Sequence, residues 1–268
     1  MIEPVLPSIR VWTLPKPDAE SHRENEDRFA IAGFRPGQFL QAPLTIAVSD
    51  GASDGLFARE WARALARAAA TTPEGVQGPE TLAATVQQAA ERWRAQTGTT
   101  ELPWFLEARR NRPTGATLLR LTVYPEGRWE ALAVGDTCLV PVRQGEPGSV
   151  FPLARADDFS AAPDLLLVQA FHSEIVVRVP EEVRVLQGEW HAGDSFFLLT
   201  DALAHWFLRE TEGGRTPSRW LEGIHSAAGF RDRVDILREN GRLRGDDTTM
   251  IYFRLDAAEG ELGLADSD

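Results

Sequence analysis

The chain reads as an α+β protein with antiparallel sheet and segregated helices. Three observations carry this. Short apolar runs between residues 115 and 142 are separated by turns too short for the crossovers that parallel strands need. Helical periodicity comes in blocks, over 56–72 with 80–97 and over 202–212 with 219–239, instead of alternating with strands. Neither an internal repeat nor a linker divides two cores, so residues 1–268 read as one domain, with a core over about 9–256 and an acidic tail over 257–268.

The elements follow in order. Ile9-Arg10-Val11-Trp12 alternates like an edge strand until Pro15 and Pro17 stop it. The polar cluster 22–28 runs into the strand-like Phe29-Ala30-Ile31-Ala32, and a Gly- and Pro-punctuated loop follows from Gly33 to Pro43. Residues 44–55 organise the rest. Leu44-Thr45-Ile46-Ala47-Val48-Ser49 reads as a buried strand, and Asp50 stands where it emerges. Gly51 lets the backbone come close to whatever Asp50 holds. Leu56, Trp61, Leu65 and Ala69 mark one core-facing helical stripe; Leu82, Val86, Ala90 and Trp93 mark the next. A polar connector fills 98–113. Residues 115–123, 129–134 and 137–142 read as a meander, its last two strands split by Gly135-Asp136. Glycines, prolines and acids over 144–180 predict an irregular, mobile excursion that ends in a hairpin of 175–179 with 183–186. Gly193 to Asp201 is a turn, a buried strand and an acid at its end. Asp246 opens the final strand after two more helices.

Composition excludes several classes. With 28 Lys+Arg against 40 Asp+Glu, the net charge of −12 argues against nucleic acid as a partner. The single cysteine, Cys138, lies in an apolar run, reads as a buried thiol, and excludes an internal disulfide or a cysteine-rich zinc site. No apolar run approaches the ~20 residues of a membrane span. The N-terminus carries no basic-then-apolar leader. The expected compartment is the cytoplasm, with no membrane partner.

Asp27, Asp50, Asp201 and Asp246 share one context, the end of a strand. Alone, each is an ordinary turn former. Brought together on one side of a sheet, they would repel one another and resist burial. A divalent cation resolves both problems. Oxygen donors without histidine or cysteine at ligand spacing favour Mn²⁺ or Mg²⁺ over zinc. Two such ions about 3.5–4 Å apart can clamp a phosphate and activate a water.

Six segments then fall into a familiar order: Asn25-Glu26-Asp27, Ser49-Asp50-Gly51, Thr114-Gly115-Ala116-Thr117, Gly135-Asp136-Thr137, Leu199-Thr200-Asp201-Ala202 and Gly245-Asp246-Asp247-Thr248-Thr249. Over about 22–255 the chain resembles the type 2C metal-dependent serine/threonine protein phosphatases, in a bacterial-type variant. The resemblance implies a sandwich of two antiparallel sheets flanked by helices. It implies hydrolysis of phosphoserine or phosphothreonine in proteins by a water bridging two Mn²⁺ or Mg²⁺ ions. Asp50 would bridge the metals, the Gly51 carbonyl would bind one of them, and Asp27, Asp201 and Asp246 would complete the sites. Glu26 would hold a metal-bound water, Asp136 would serve a possible third ion, and Arg23 would bind phosphate. The implied partner is a phosphoprotein, a kinase or its target.

Three positions depart from the pattern. Ala52 stands where many eukaryotic members have histidine, so the leaving group needs another proton donor. Arg23 is shifted in spacing, with His22 beside it. Asp247 replaces the usual asparagine, which adds negative charge near the site and would weaken phosphate binding. Two other functions compete. Gly51-Ala52-Ser53-Asp54-Gly55 fits a hydrolase nucleophile elbow, with Ser53, Asp201 and then His205 or His225 in order, but strand–helix alternation is missing. A catalytically weak type 2C fold kept as a regulatory or binding module is the second.

Overall fold

The computed structural model describes residues 3–258 apart from 23, 53–54, 73–77, 108, 111, 161 and 172–173. The strands are β1 (Val5–Leu14), β2 (Arg28–Ala32), β3 (Leu44–Ser49), β4 (Thr114–Ala116), β5 (Leu118–Val123), β6 (Arg128–Val134), β7 (Cys138–Arg143), β8 (Glu146–Pro147), β9 (Leu166–Phe171), β10 (Glu174–Arg178), β11 (Arg184–Glu189), β12 (Ser195–Leu199) and β13 (Thr248–Ala257). The helices are α1 (Ala58–Thr71), α2 (Pro79–Thr97), α3 (Trp104–Glu107), α4 (Asp201–Glu212), α5 (Pro217–Glu222) and α6 (Ala227–Glu239), with a 3-10 turn at Ala156–Asp158.

Among the described residues the strands form two five-stranded sheets, ordered β1-β13-β12-β7-β8 and β11-β6-β5-β3-β2, and a three-stranded sheet, β10-β9-β4. The pairings are antiparallel. Strand alternation decides the layering. Leu44, Ile46 and Val48 of β3 meet Phe196 and Leu198 of β12 and Ile251, Phe253 and Leu255 of β13 in a core between the two large sheets. The odd-face neighbours point outward. Ala47 joins a second core under α1 and α2, while Phe197, Leu199, Met250 and Tyr252 join a third under α4, α5 and α6. The result is helices, sheet, sheet, helices. It is the α+β sandwich that the resemblance implied.

Four local expectations fail, each for a physical reason. Residues 115–123 are not one strand. At Thr117 the chain turns its N–H to the Asp50 carbonyl (2.9 Å), which ends β4, and β5 starts at the next residue. Strands 129–134 and 137–142 are not neighbours in one meander. Gly135, at φ +91°, reverses the chain where a Cβ would meet Thr117 Cγ2 at 2.6 Å, and β7 crosses to the other sheet. The 144–180 stretch is not simply irregular. It contains β9 and β10, which pair with each other, and β11 pairs with β6 instead of forming the expected hairpin. Helix 219–239 is two helices. Gly223 caps α5, and Ser226 restarts the chain by accepting the Gly229 N–H at 3.0 Å. The acidic tail beyond 258 lies outside the described residues.

The inter-sheet core should dominate stability. Phe253 is fully buried and stacks on Phe196 at 5.7 Å. Phe253→Ala is expected to lower unfolding free energy by about 3–5 kcal/mol, read from urea denaturation.

Candidate active site

Strand register brings the acid-bearing turns to one end of the sandwich. β2 and β3 pair Arg28 with Ser49, so Asp27 and Asp50 stand just beyond adjacent strand ends. β5 and β6 pair Leu118 with Val134, which puts the Asp136 turn at that same end. In the second sheet Leu199 pairs with both Cys138 and Met250, so Asp136, Asp201 and Asp246 emerge together. β1 closes the set by pairing Leu14 with Thr248.

Hydroxyls and amides lock these turns together. Thr117 Oγ1 accepts from the Asp50 N–H (3.1 Å) and pairs with Thr137 Oγ1 (2.8 Å), tying the Asp50 and Asp136 turns across the gap between the two large sheets. Ser49 Oγ donates to the Thr117 carbonyl at 2.6 Å. The Thr114-Gly115-Ala116-Thr117 motif therefore supports the site from behind. Gly51 is required where it stands, because a Cβ there would lie 2.9 Å from the Ala58 carbonyl oxygen. Thr200 Oγ1 donates to Asp27 Oδ2 (3.0 Å) and accepts from the Thr249 N–H (2.9 Å). Asn25 Oδ1 accepts from the Asp27 N–H at 2.8 Å, which explains the asparagine of Asn25-Glu26-Asp27.

The electrostatics follow from burial and proximity. Burial, then Asp247 and Asp201, hold the Asp27 carboxyl well above its usual range. Burial, then Asp27, Asp201, Asp136 and Asp246, do the same to Asp50. Burial raises Asp136 to about 6, against the pull of Arg244. Burial, Asp136 and Asp246 raise Asp201 to about 7. Among the described residues Asp27 Oδ1 and Asp201 Oδ1 are buried without a hydrogen-bond partner. Orphaned, mutually repelling carboxylate oxygens suit a hard divalent cation, so the donor set fits Mn²⁺ or Mg²⁺. Among the described residues no group of three or more His, Cys, Asp or Glu side chains is already arranged to hold a metal ion.

Asp247 bears on Asp27 by its charge, as expected of an acid at this position, and it also has a structural task. Its carboxylate is buried and turned inward, accepting the Lys16 N–H at 2.8 Å and the Glu26 N–H at 2.7 Å. It anchors the loop that carries Glu26 and Asp27, a task in which an asparagine could accept only one of the two bonds. Glu26 is half-buried and borders a cavity of about 340 Å³ with Lys16, Phe57 and Arg59. Asp136 borders another, of about 180 Å³, under the 153–164 segment. Arg23 and Ser53 lie outside the described residues. Of the histidines proposed for the elbow, His205 packs edge-on to Phe159 and His225 contacts Arg10; among the described residues neither bonds Asp201. Thr117, Thr200 and Arg244 were not singled out from the sequence. For Thr200 and Arg244 the signal was adjacency to Asp201 and Asp246, and for Thr117 its place in the Thr114-Gly115-Ala116-Thr117 segment.

The chain belongs to the protein phosphatase 2C family, whose model matches residues 20–240. That match stops short of Asp246 and Asp247. The fold is that of the S. agalactiae serine/threonine phosphatase (TM-score 0.58, 13% identity, 93% of this chain and 100% of that one). It is also that of the catalytic domain of the serine/threonine phosphatase PstP in complex with two manganese ions (0.56, 17%, 94% and 99%). RsbX in complex with magnesium is similar as well (0.52, 17%, 96% and 100%). No curated protein matches the sequence. No helix among the described residues is long and apolar enough to cross a membrane.

Two outcomes test this arrangement. Thr117→Val removes the acceptor for the Asp50 N–H and the partner of Thr137, and is expected to destabilise by about 1–3 kcal/mol in chemical denaturation. Because the folded-state pKa values of Asp136 and Asp201 are raised from 3.8 to about 6 and about 7, the folded protein binds more protons than the unfolded chain between 3.8 and those values. Stability of the chelator-treated protein should therefore fall as pH rises from about 4 to about 7.5. Tm is expected to be about 5 °C higher at pH 6 than at pH 8 by calorimetry, and excess Mn²⁺ should remove the difference.

Proposed function

We propose that this chain is a metal-dependent phosphatase that hydrolyses phosphoserine and phosphothreonine in proteins, with residues 1–268 acting as one phosphatase-like domain. The observation that carries the reading is the convergence of Asp27, Asp50, Asp136, Asp201 and Asp246 at one end of a type 2C sandwich, with orphaned buried oxygens on Asp27 and Asp201. Asp50, the Gly51 carbonyl, Asp27, Asp201 and Asp246 would form the donor set for the metal ions, and Asp136 would serve a possible weaker site. Two bound Mn²⁺ or Mg²⁺ ions would supply an activated water and neutralise charge on the phosphoryl oxygens. The protein's own part is positioning. Thr117 and Thr137 fix the Asp50 and Asp136 turns, Thr200 orients Asp27, and Asp247 holds the backbone from which Glu26 orients water. Ala52 offers no proton to the leaving group. Manganese in PstP and magnesium in RsbX support the choice of ion. The substrate is a cytoplasmic signalling phosphoprotein, a kinase or its target, and Arg23 contributes to phosphate binding.

Hydrolysis of p-nitrophenyl phosphate and of a phosphothreonine peptide is expected with Mn²⁺ or Mg²⁺ and is expected to stop with excess chelator. Asp50→Asn and Asp201→Asn should each lose at least about 100-fold in kcat. Metal binding without turnover on either substrate would replace this reading with that of a regulatory module.

A further inference from the structure

Arg244 lies in the turn between α6 and β13, two residues before Asp246. Its Nη1 is 3.9 Å from Asp201 Oδ2, beyond hydrogen-bonding distance, and its side chain is 45% exposed. The guanidinium sits over the ring of Phe159, 6.0 Å from the centroid. Phe159 in turn packs edge-on to His205 at 5.4 Å, and the preceding 3-10 turn is tied to α4 by the Ala156 N–H, which donates to Glu212 Oε1 at 3.0 Å. The aromatic shelf beneath the guanidinium is thus fixed to the helix that begins with Asp201.

Neighbouring arginines are turned inward and spend donors on the backbone, although Arg28 Nη2 and Arg238 Nε are buried without a partner among the described residues. Arg238 donates to the Asp246 carbonyl at 2.5 Å and to Thr248 Oγ1 at 3.1 Å, with its side chain 11% exposed. Arg28 donates to the Asp27 carbonyl. Arg244 makes no hydrogen bond to any described residue, yet its charge bears on Asp136, Asp201 and His205. An ion-pair partner built for Asp201 would sit closer. A planar donor fork held on an aromatic face at the rim of a carboxylate cluster, with its donors unspent, suits a dianionic tetrahedral ligand.

We propose that Arg244, shelved on Phe159, grips the phosphoryl oxygens of the phosphorylated substrate at the mouth of the carboxylate cluster. The inference rests on the phosphatase reading and adds a phosphate-binding residue to it. A metal ion held by Asp201 would face the Arg244 charge 3.9 Å from that carboxylate, so Arg244 is not a support for metal binding. Removing it relieves a competing positive charge.

Isothermal calorimetry separates these roles. Mn²⁺ is titrated into wild type, Arg244→Ala and Arg244→Lys, and inorganic phosphate is then titrated into each Mn²⁺-loaded protein. KM and kcat are measured on a phosphothreonine peptide. Arg244→Ala is expected to weaken phosphate at least about tenfold and to raise KM more than it lowers kcat. Arg244→Lys should recover part of both, and Mn²⁺ affinity should be unchanged or tighter in both variants. Phosphate affinity within twofold of wild type in Arg244→Ala overturns the proposal, while turnover by the same proteins leaves the phosphatase reading standing. Mn²⁺ affinity that falls in step with phosphate affinity also overturns it, because Arg244 would then be a prop for Asp201. Arg244-dependent phosphate binding without turnover by wild type would uphold Arg244 and sink the phosphatase reading alone.

Discussion

Mutual repulsion among buried carboxylates is the constraint on which this structure depends. Asp27 and Asp136 are almost fully buried, and Asp50 and Asp201 are half-buried beside them. Burial raises the proton affinity of all four, and Asp27, Asp201 and Asp136 raise that of Asp50 further. A fold that used these acids only as turn formers would spread them apart or face them to solvent. Here antiparallel register forces them together, because each acid lies just beyond a paired strand end. The sandwich supplies the opposing stability through three apolar cores, one between the two large sheets and one beneath each helical layer.

The polar scaffold around the acids explains why the motifs extend beyond the aspartates themselves. Thr117 bridges the Asp50 and Asp136 turns, and Thr200 bridges Asp27 and the start of β13. Both hydroxyls are buried and doubly used, so each holds two segments from distant parts of the chain at one spacing. Asp247 does the same for the loop carrying Glu26 and Asp27. Positions near the site thus divide between groups that face the cluster and groups that fix its backbone, and Asp247 belongs to the second kind.

Much of this was legible from local sequence. The run 44–49 with its terminal Asp-Gly, the helical stripes through Trp61 and Trp93, and the strands before Asp201 and after Asp246 all fell where periodicity put them. What local pattern could not carry was partner choice. Only three residues separate β6 from β7, yet β7 lies in the other sheet, because the reversal at Gly135 depends on Thr117 and on the Asp164 carbonyl. β9 hides its apolar Leu166-Leu167-Val168 in a Gly- and Pro-rich stretch and pairs with β4, about fifty residues back. The orientation of Asp247 is set by Glu26, 221 residues away, so local sequence showed its charge near the site but not its anchoring of the Glu26 loop. Arg244 escaped notice for the same reason: its shelf, Phe159, comes from the excursion that sequence pattern left without structure.

The central claim is that burial, reinforced by neighbouring carboxylates, raises the proton affinity of these acids, and that they are built to exchange protons for divalent cations. The most direct measurement is calorimetric titration of Mn²⁺ at pH 6.5 in two buffers of different ionisation enthalpy, repeated at pH 8.5. With Asp136 and Asp201 near about 6 and about 7, binding should release at least about one proton per protein at pH 6.5 and clearly fewer at pH 8.5. Mn²⁺ binding with no proton release at pH 6.5, or no Mn²⁺ binding at either pH, would contradict the account.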